Sequence, residues 1–519
     1  MCASSLDPFT HGVIQAGFEA VAAEMFDTLR KTAMSPIIYE VLDVGTGVLD
    51  ADGALVASGA GIPGFIGVLD KAVRAILAQE TAPLRDGDVF VLNDPNLGGV
   101  THLCDVVVAA PVFHEGERVA FVASIAHWGD IGGAAPGSMA VDAIDIVAEG
   151  LRLPPVRLYA AGRPNAAVAD IITANTRLPA FVAGDLAAQC AAARRGILAV
   201  KALFARYGTA TLKASIKAGF IEGEARARAG LARLPNGHVP IQARQDDGSV
   251  WRVAITVSDD RFTVDLRDAP DCVAGPHNTS RDGALVVCQM LFKALTDPER
   301  FANAGSFAPL AVLTRPGSIF DASPTAPQGY YFETRIRLFD CLWRAIATAM
   351  PKTLPAGHFA TIFGTVIAGV HPDTGQRTTM VEPQMGGWGA TAERSGTGPL
   401  YSSSHGDTFN CPAEIAEARY GLEVVERTLN PAPPVADGFA GGPGLLTRLR
   451  IRGAASLSVG HSHGREPVWC QGAEGTAVNR LTVERASGAT ERHQFVSALP
   501  LSPGDEIIIE TAPGGSASG

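Results

Sequence analysis

Charge is scarce in this chain. Of its 519 residues only 18% are Asp, Glu, Lys or Arg, against 47% hydrophobic. A disordered chain needs the reverse balance, so a folded protein is expected. The formal charge is −11, and no Lys/Arg cluster interrupts that acidity. Nucleic acid and anionic membrane are therefore poor partners. No apolar run approaches the ~18 residues of a membrane span. The longest, near Val106–Phe113 and Ile362–Val370, are strand-sized. The N-terminus has no basic segment followed by an apolar one, so no secretory signal is read and a cytoplasmic protein is expected. Eight cysteines, none spaced Cys-x-x-Cys, read as reduced thiols that fill small buried spaces, not as a disulfide framework. Gly (57) and Pro (34) are common but lack a triplet period, which excludes a collagen-like chain. There is no G-x-x-x-x-G-K-[ST], and no G-x-G-x-x-G between a strand and a helix, so no nucleotide site is read here.

What is present is a mixture of periodicities. Asp7-Pro8 is a helix start, followed by Val13, Ile14, Phe18, Val21, Met25, Phe26 and Leu29 at helical spacing. Ile37–Val48 reads as a strand that turns at Asp50–Gly53 and returns over Ala54–Ser58. Leu69–Gln79 reads as helix and Asp88–Asn93 as a short strand. A second hairpin runs out over Asp105–Phe113 and back over Arg118–His127, between two Gly-rich loops. Ala167–Thr173, Asp185–Tyr207 and Thr211–Arg233 are helical in pattern. A third hairpin joins Val250–Val257 to Arg261–Leu266. Ala284–Leu295 and Arg335–Met350 read as helices flanking a Pro/Gly-rich loop, Arg315–Tyr330. Gly386–Gly406 reads as loop. Short β-type runs follow Leu445, closing on Glu506–Glu510 and a Gly/Ser tail expected to be disordered. The fold class expected is α+β, multi-domain, with antiparallel hairpins, packed helices and a β-rich C-terminal region. Its two parts are placed at 1–240 and 241–519.

Of the twelve histidines, two stand out. In a hairpin the numbers of opposed residues sum to a constant. Pairing Phe113 with Val119 sets Asp105 opposite His127, with Cβ atoms ~4.5–5.5 Å apart. His102 lies three residues before Asp105, so its side chain reaches them only if the chain bends there, and the neighbouring Gly98-Gly99 allows that. Two imidazoles and a carboxylate at a strand end suit Mn, Fe, Co or Zn better than Ca or Mg. The same residues could instead form a hydrogen-bonded cluster closing two loops. Cys104 is a competing ligand. Asp94 and Asp130, in the flanking loops, are candidate acid/base groups, ligands, or turn-forming residues. Ser402–Ser404 with His405 and Asp407 invites a hydrolase reading, but no nucleophile-elbow motif surrounds them. His461-Ser-His463 reads as a surface loop.

These residues also carry a resemblance. Asn93-Asp-Pro-x-x-Gly-Gly99, Thr101-His-Leu-x-Asp105, Ala126-His-x-x-Asp-Ile-Gly-Gly133, Pro136-Gly-Ser-Met139 and Glu149-Gly-Leu-x-Leu-Pro-Pro155 resemble the hydantoinase B family. Glu24-Met25, Thr32-Ala-x-Ser-Pro36, Asp43, Asn175-x-Arg177-x-Pro179, Gly184-Asp-Leu-x-Ala-Gln189, Asn410-x-Pro-x-Glu414 and Gly504-Asp505 extend it, in order, over essentially the whole chain. The resemblance implies a divalent transition metal held by Asp43, His102, Asp105 and His127. It implies a hetero-oligomer with a hydantoinase A-type subunit that binds ATP and phosphorylates a small-molecule substrate. The metal would then activate water against a cyclic amide. A ketone carboxylase subunit and a non-catalytic scaffold are the competing expectations. Three positions depart from the family: Phe65 stands where relatives carry His, Val44-Gly45 replaces Phe-Ser after Asp43, and Asp437–Gly444 is an eroded glycine motif.

Overall fold

The computed structural model describes residues 6–79, 81–406 and 408–518. Its N-terminal sheet has seven strands: β1 (Val44–Asp50), β2 (Leu55–Ser58), β3 (Val89–Leu92), β4 (Asp105–His114), β5 (Glu117–His127), β6 (Val156–Ala160) and β7 (Arg163–Pro164). Their order is β2-β1-β5-β4-β3-β6-β7, every neighbouring pair antiparallel. β4 and β5 read as continuous apolar runs because both faces of the sheet are covered. Val106, Val108, Val122 and Ala126 pack into one core with Phe18, Met25 and Ala193. Val107, Ala123 and Ile125 pack on the other side with Val68, Leu69 and Ile76. The helices supplying those layers are α1 (Pro8–Thr32), then past the one-turn α2 (Pro36–Tyr39), α3 (Pro63–Gln79), and, past α4 (Ala166–Ala174), α5 (Pro179–Tyr207). The Asp7 carboxylate caps α1 by accepting from Thr10 N–H at 2.8 Å.

A second core lies between helices α6 (Thr209–Leu231), α7 (Arg281–Thr296) and α8 (Tyr331–Ala347) and a sheet of β8 (Gly237–Arg244), β9 (Val250–Val257), β10 (Phe262–Asp265) and β11 (Leu310–Leu313). The β-rich remainder forms two sheets. One contains β12 (Gly364–Val370) and β13 (Arg377–Glu382). After α9 (Ala413–Tyr420), the other begins with β14 (Leu422–Asn430) and β15 (Gly444–Ile451). Of the strands that follow, β16 (Ala455–Gly460) joins the first sheet. β17 (Arg480–Glu484) and β18 (Thr490–His493) join the second, β19 (Phe495–Leu501) the first and β20 (Glu506–Glu510) the second. Among the described residues no helix is long and apolar enough to cross a membrane.

Several local expectations change. Ile37–Tyr39 is helical, because Pro36 sits at the first helical position and pre-sets its φ. Val13, at helical spacing, is exposed. β8 and β11 are strands the expectation did not include, although Val239, Ile241 and Ala243 alternate along β8 and Leu310–Leu313 of β11 is wholly apolar. The tail is ordered through residue 518: Gly387 and Ala390 donate to the carbonyls of Ala512 and Gly515, and Phe439 exchanges hydrogen bonds with Ala517. A Cβ on Gly514 would lie 2.1 Å from Trp388 O. Glycine there permits backbone to lie against backbone, which is why a Gly-rich end is built in.

Candidate metal centre

Strand pairing builds the centre. Asp105 pairs directly with His127 across β4 and β5. On the other side of β5 the β1 ladder continues past Val44, where His127 N–H donates to Asp43 O at 3.1 Å. His127 therefore stands between two aspartates on one rung of three adjacent strands. All three continue the α3 face of the sheet, as Gly45, Ile125 and Val107 do. The hairpin tip is a different pairing from the one expected. Phe113 pairs with Arg118, because a bulge after Val112 shifts the register there, and the open end is unaffected. His102 arrives through the required bend: Val100 has φ 67°, and Asp105 N–H turns back to His102 O at 3.2 Å.

The side chains enclose a cavity of about 50 Å³ whose lining includes Asp43, His102, Asp105, His127, Tyr331, Arg335 and His405. His102 Nδ1 lies 3.0 Å from Gly329 O. It is therefore the N–H donor, which leaves Nε2 facing the cavity. That Nε2 is 3.2 Å from Asp105 Oδ1, yet this oxygen is engaged in no hydrogen bond. Asp43 Oδ1, His127 Nδ1 and His405 Nε2 are buried without partners as well. Buried polar atoms are rarely left so. Carboxylate and imidazole atoms of Asp43, His102, Asp105 and His127 around one small buried cavity, several of them without a hydrogen-bond partner, are the donor types a divalent ion takes, so the residues present suit a metal.

The electrostatics agree. Burial and the nearby Asp105 charge push the Asp43 carboxyl well above the usual range. Burial acts on Asp105 too, but His102, His127 and the Tyr331 phenol, which donates to Asp105 Oδ2 at 3.0 Å, hold it low. His127 is pushed down to about 4 by burial, and His405 to about 3 for the same reason. Without a cation, two carboxylates at one site cannot both ionise freely.

Sulfur is also within reach. The donor atoms of His102, Cys104 and His127 lie within 4.8 Å of one another. However, Cys104 Sγ lies 3.8 Å from Gly137 O as a donor. Burial and the charges of Asp105 and Asp130 push its pKa well above the thiol range. A thiol in that setting keeps its proton and is a weak ligand, so the carboxylates are the better complement to the two histidines.

Comparison with known proteins follows the same lines. The family model for hydantoinase B/oxoprolinase matches residues 7–517. This chain belongs to the hydantoinase B/oxoprolinase family. It is 28% identical to a putative D-/L-hydantoinase B-type chain of a Pseudomonas species, over 95% of this chain and 86% of that one. It is also 28% identical to the beta chain of the caprolactamase of Pseudomonas jessenii, over 99% and 91%. The crystal structure of the ATP-dependent caprolactamase from that organism superposes with a TM-score of 0.91 at 24% identity. That match covers 99% of this chain and 92% of the other, and supports the fold.

Within this hydantoinase B fold the other candidates separate. Asp94 and Asp130 are not brought to the cavity. Asp94 accepts from Arg152 Nε at 2.6 Å and from Asn96 N–H. Asp130 accepts from the backbone N–H groups of Gly132, Gly137 and Arg177 and from the Arg177 guanidinium. Both carboxylates are engaged in organising the Gly-rich loops. Ser404 and His405 reach the cavity wall, while Asp407 lies outside the described residues. His461 and His463 are buried, not on a surface loop. His463 joins Arg337 and Asp340 in an internal charge cluster. Phe65, the family's departure from His, lines the cavity and makes this wall apolar. Tyr331, Arg335 and His405 also belong to this site, and no local spacing in the sequence ties them to it. All three lie far along the chain from His127.

Proposed function

We propose that this chain is the metal-bearing subunit of an ATP-dependent cyclic-amide hydrolase. It would act on a substrate phosphorylated by an A-type, ATP-binding partner. The observation that carries this reading is the rung Asp43–His127–Asp105 with His102 beside it, its buried donor atoms unpartnered. Support comes from family membership, from relatives named as subunits, and from the absence of a nucleotide motif in this chain. His102 through Nε2, His127, Asp43 and Asp105 would hold a divalent Mn, Zn, Fe or Co ion. When bound, such an ion would supply the Lewis acidity that lowers the pKa of an attacking water.

The surrounding residues have definable tasks. Glu149 accepts from the N–H groups of Gln328 (3.0 Å) and Gly329 (2.5 Å). It thereby fixes the carbonyl that holds His102 Nδ1–H, and with it the tautomer. Tyr331 orients Asp105. His405, held neutral by burial, presents an unpartnered Nε2 to the cavity. Phe65, Met139, Phe332 and Ile362 exclude water around it.

Elemental analysis tests the reading. After growth with Mn, Zn, Fe and Co, the parent should carry one transition ion per chain, lost in His127→Ala and Asp105→Asn. An ion-free parent under those conditions would sink the proposal and leave a non-catalytic scaffold as the better description.

A further inference from the structure

One charged group in the cavity has no part in holding a metal. Arg335, on α8, is among the largest fully buried side chains of the protein, at 2% exposure. Among the described residues its Nε and Nη2 have no hydrogen-bond partner. The neighbouring charges on the same helix are all engaged. Glu333 accepts from Thr361, Ile362 and Ser462, and Arg337 pairs with Asp340. Among the described residues Arg335 has the face of Tyr331, whose ring centroid lies 5.1 Å from its Cζ. A ring face satisfies the charge in part but accepts none of the in-plane N–H groups. Asp105, which also acts on it electrostatically, is already committed to Tyr331 and to the His102 side of the cavity.

The space before the guanidinium is kept clear. A Cβ on Gly64 would stand 3.3 Å from Arg335 Nη2 and 3.3 Å from Ser404 O. Ser404 Oγ and His405 Nε2, both buried and unpartnered, line the same cavity. A divalent ion would neutralise Asp43 and Asp105, which leaves the Arg335 charge unmatched. A buried, unpaired guanidinium is unfavourable unless an anion completes it. The arginine fork alone would satisfy a planar carboxylate. The additional hydroxyl and imidazole on the same wall suit a tetrahedral group with more oxygens.

We propose that Arg335, with Ser404 and His405, is the receptor for a phosphoryl oxyanion seated beside the metal position. This deepens the reading above, and the anion is either the phosphoryl group of an activated substrate or the phosphate released from it. Arg335 is then a specificity-determining residue that admits the activated substrate and discriminates against its neutral precursor.

The test is calorimetric titration of the purified chain, metal-free and metal-loaded, with inorganic phosphate, methyl phosphate and acetate. Both phosphates should bind the parent more tightly than acetate does. Affinity should fall on the order of tenfold in Arg335→Gln, with Arg335→Lys between, as expected for loss of a charged bidentate donor. Metal content should stay at the parent's level in both variants. Should Arg335→Gln fail to fold, Arg335→Lys, which keeps the charge and loses the fork, provides the same comparison. Tighter binding of methyl phosphate than of phosphate identifies the ester as the ligand, and the reverse identifies the released ion. Parent-like phosphate affinity in both variants, absence of phosphate binding in both metal states, or preference for acetate overturns the proposal. Arg335-dependent phosphate binding in a chain that takes up no metal upholds the anion site and overturns the metal reading instead.

Discussion

At the scale of single residues, the cavity is a place where protonation and metal binding compete. His405 and His127 are held neutral by burial, with pKa values pushed down to about 3 and about 4. An imidazole in the unfolded chain protonates near 6.5. Between these values the unfolded state binds protons that the folded state refuses, so this contribution to stability is complete above about pH 6.5 and is lost on acidification. His405→Gln removes one such site. In the metal-free protein it should reduce the slope of unfolding free energy against pH near pH 5 by roughly 1.4 kcal/mol per pH unit. Urea unfolding of parent and variant between pH 4.5 and 7 measures this. Equal slopes would mean that His405 is charged in the folded protein. Some of these residues were legible in the sequence and others were not. His102, Asp105 and His127 could be read because one hairpin joins them and its residue numbers fix their opposition. Asp43 came only through family resemblance, since its place depends on the pairing of β1 with β5. Arg335 and His405 are delivered by α8 and by a loop, and nothing in their local spacing betrays where those elements dock.

At the scale of elements, the site depends on how closely α3 lies against the sheet. A Cβ on Gly45 of β1 would come within 3.1 Å of Phe65 Cβ and 3.2 Å of Ile125 Cγ2. Gly45 is thus one of the contacts through which α3 lies on the sheet, beside Phe65, which lines the cavity. Gly45→Val should cost about 1–3 kcal/mol by overpacking. It should also weaken metal binding, because lifting the start of α3 disturbs the wall beside Asp43. Chemical denaturation and metal titration of the variant check both effects, and an unchanged variant would show that the wall yields freely. The bulge after Val112 teaches a related lesson. It moved the pairing at the hairpin tip by one residue and left the open end in register. A turn can absorb a local error that, within the ladder, would have turned every side chain over. The short helix at Pro36–Tyr39 was less legible. Its Ile-Ile-Tyr run has strand-like composition, and only Pro36 marks the helical start.

At the scale of the whole molecule, the fold class was legible because long helices and hairpins announce themselves by period. The β-rich C-terminal part was less so, since its edge strands alternate weakly and its pairings cross long stretches of chain. The ordered tail was the largest surprise. Removing residues 511–518 strips backbone partners from Gly387, Ala390, Phe439 and Gly357. At roughly 1 kcal/mol per hydrogen bond, the truncated chain should melt several degrees lower by scanning calorimetry. An unshifted Tm would show that the tail is dispensable. The tail's reach extends to the cavity. Trp388, bonded through Gly442 to Gly514, donates its indole N–H to Tyr401 O at 2.9 Å, just ahead of Ser404 and His405. A ribosome delivers a chain from its N-terminus. The floor of the cavity, on β1, β4 and β5, is therefore synthesised long before the segment that braces its roof. Residues 511–518 act as a latch, and because they follow the floor in the order of manufacture the pocket stays unroofed until they have emerged.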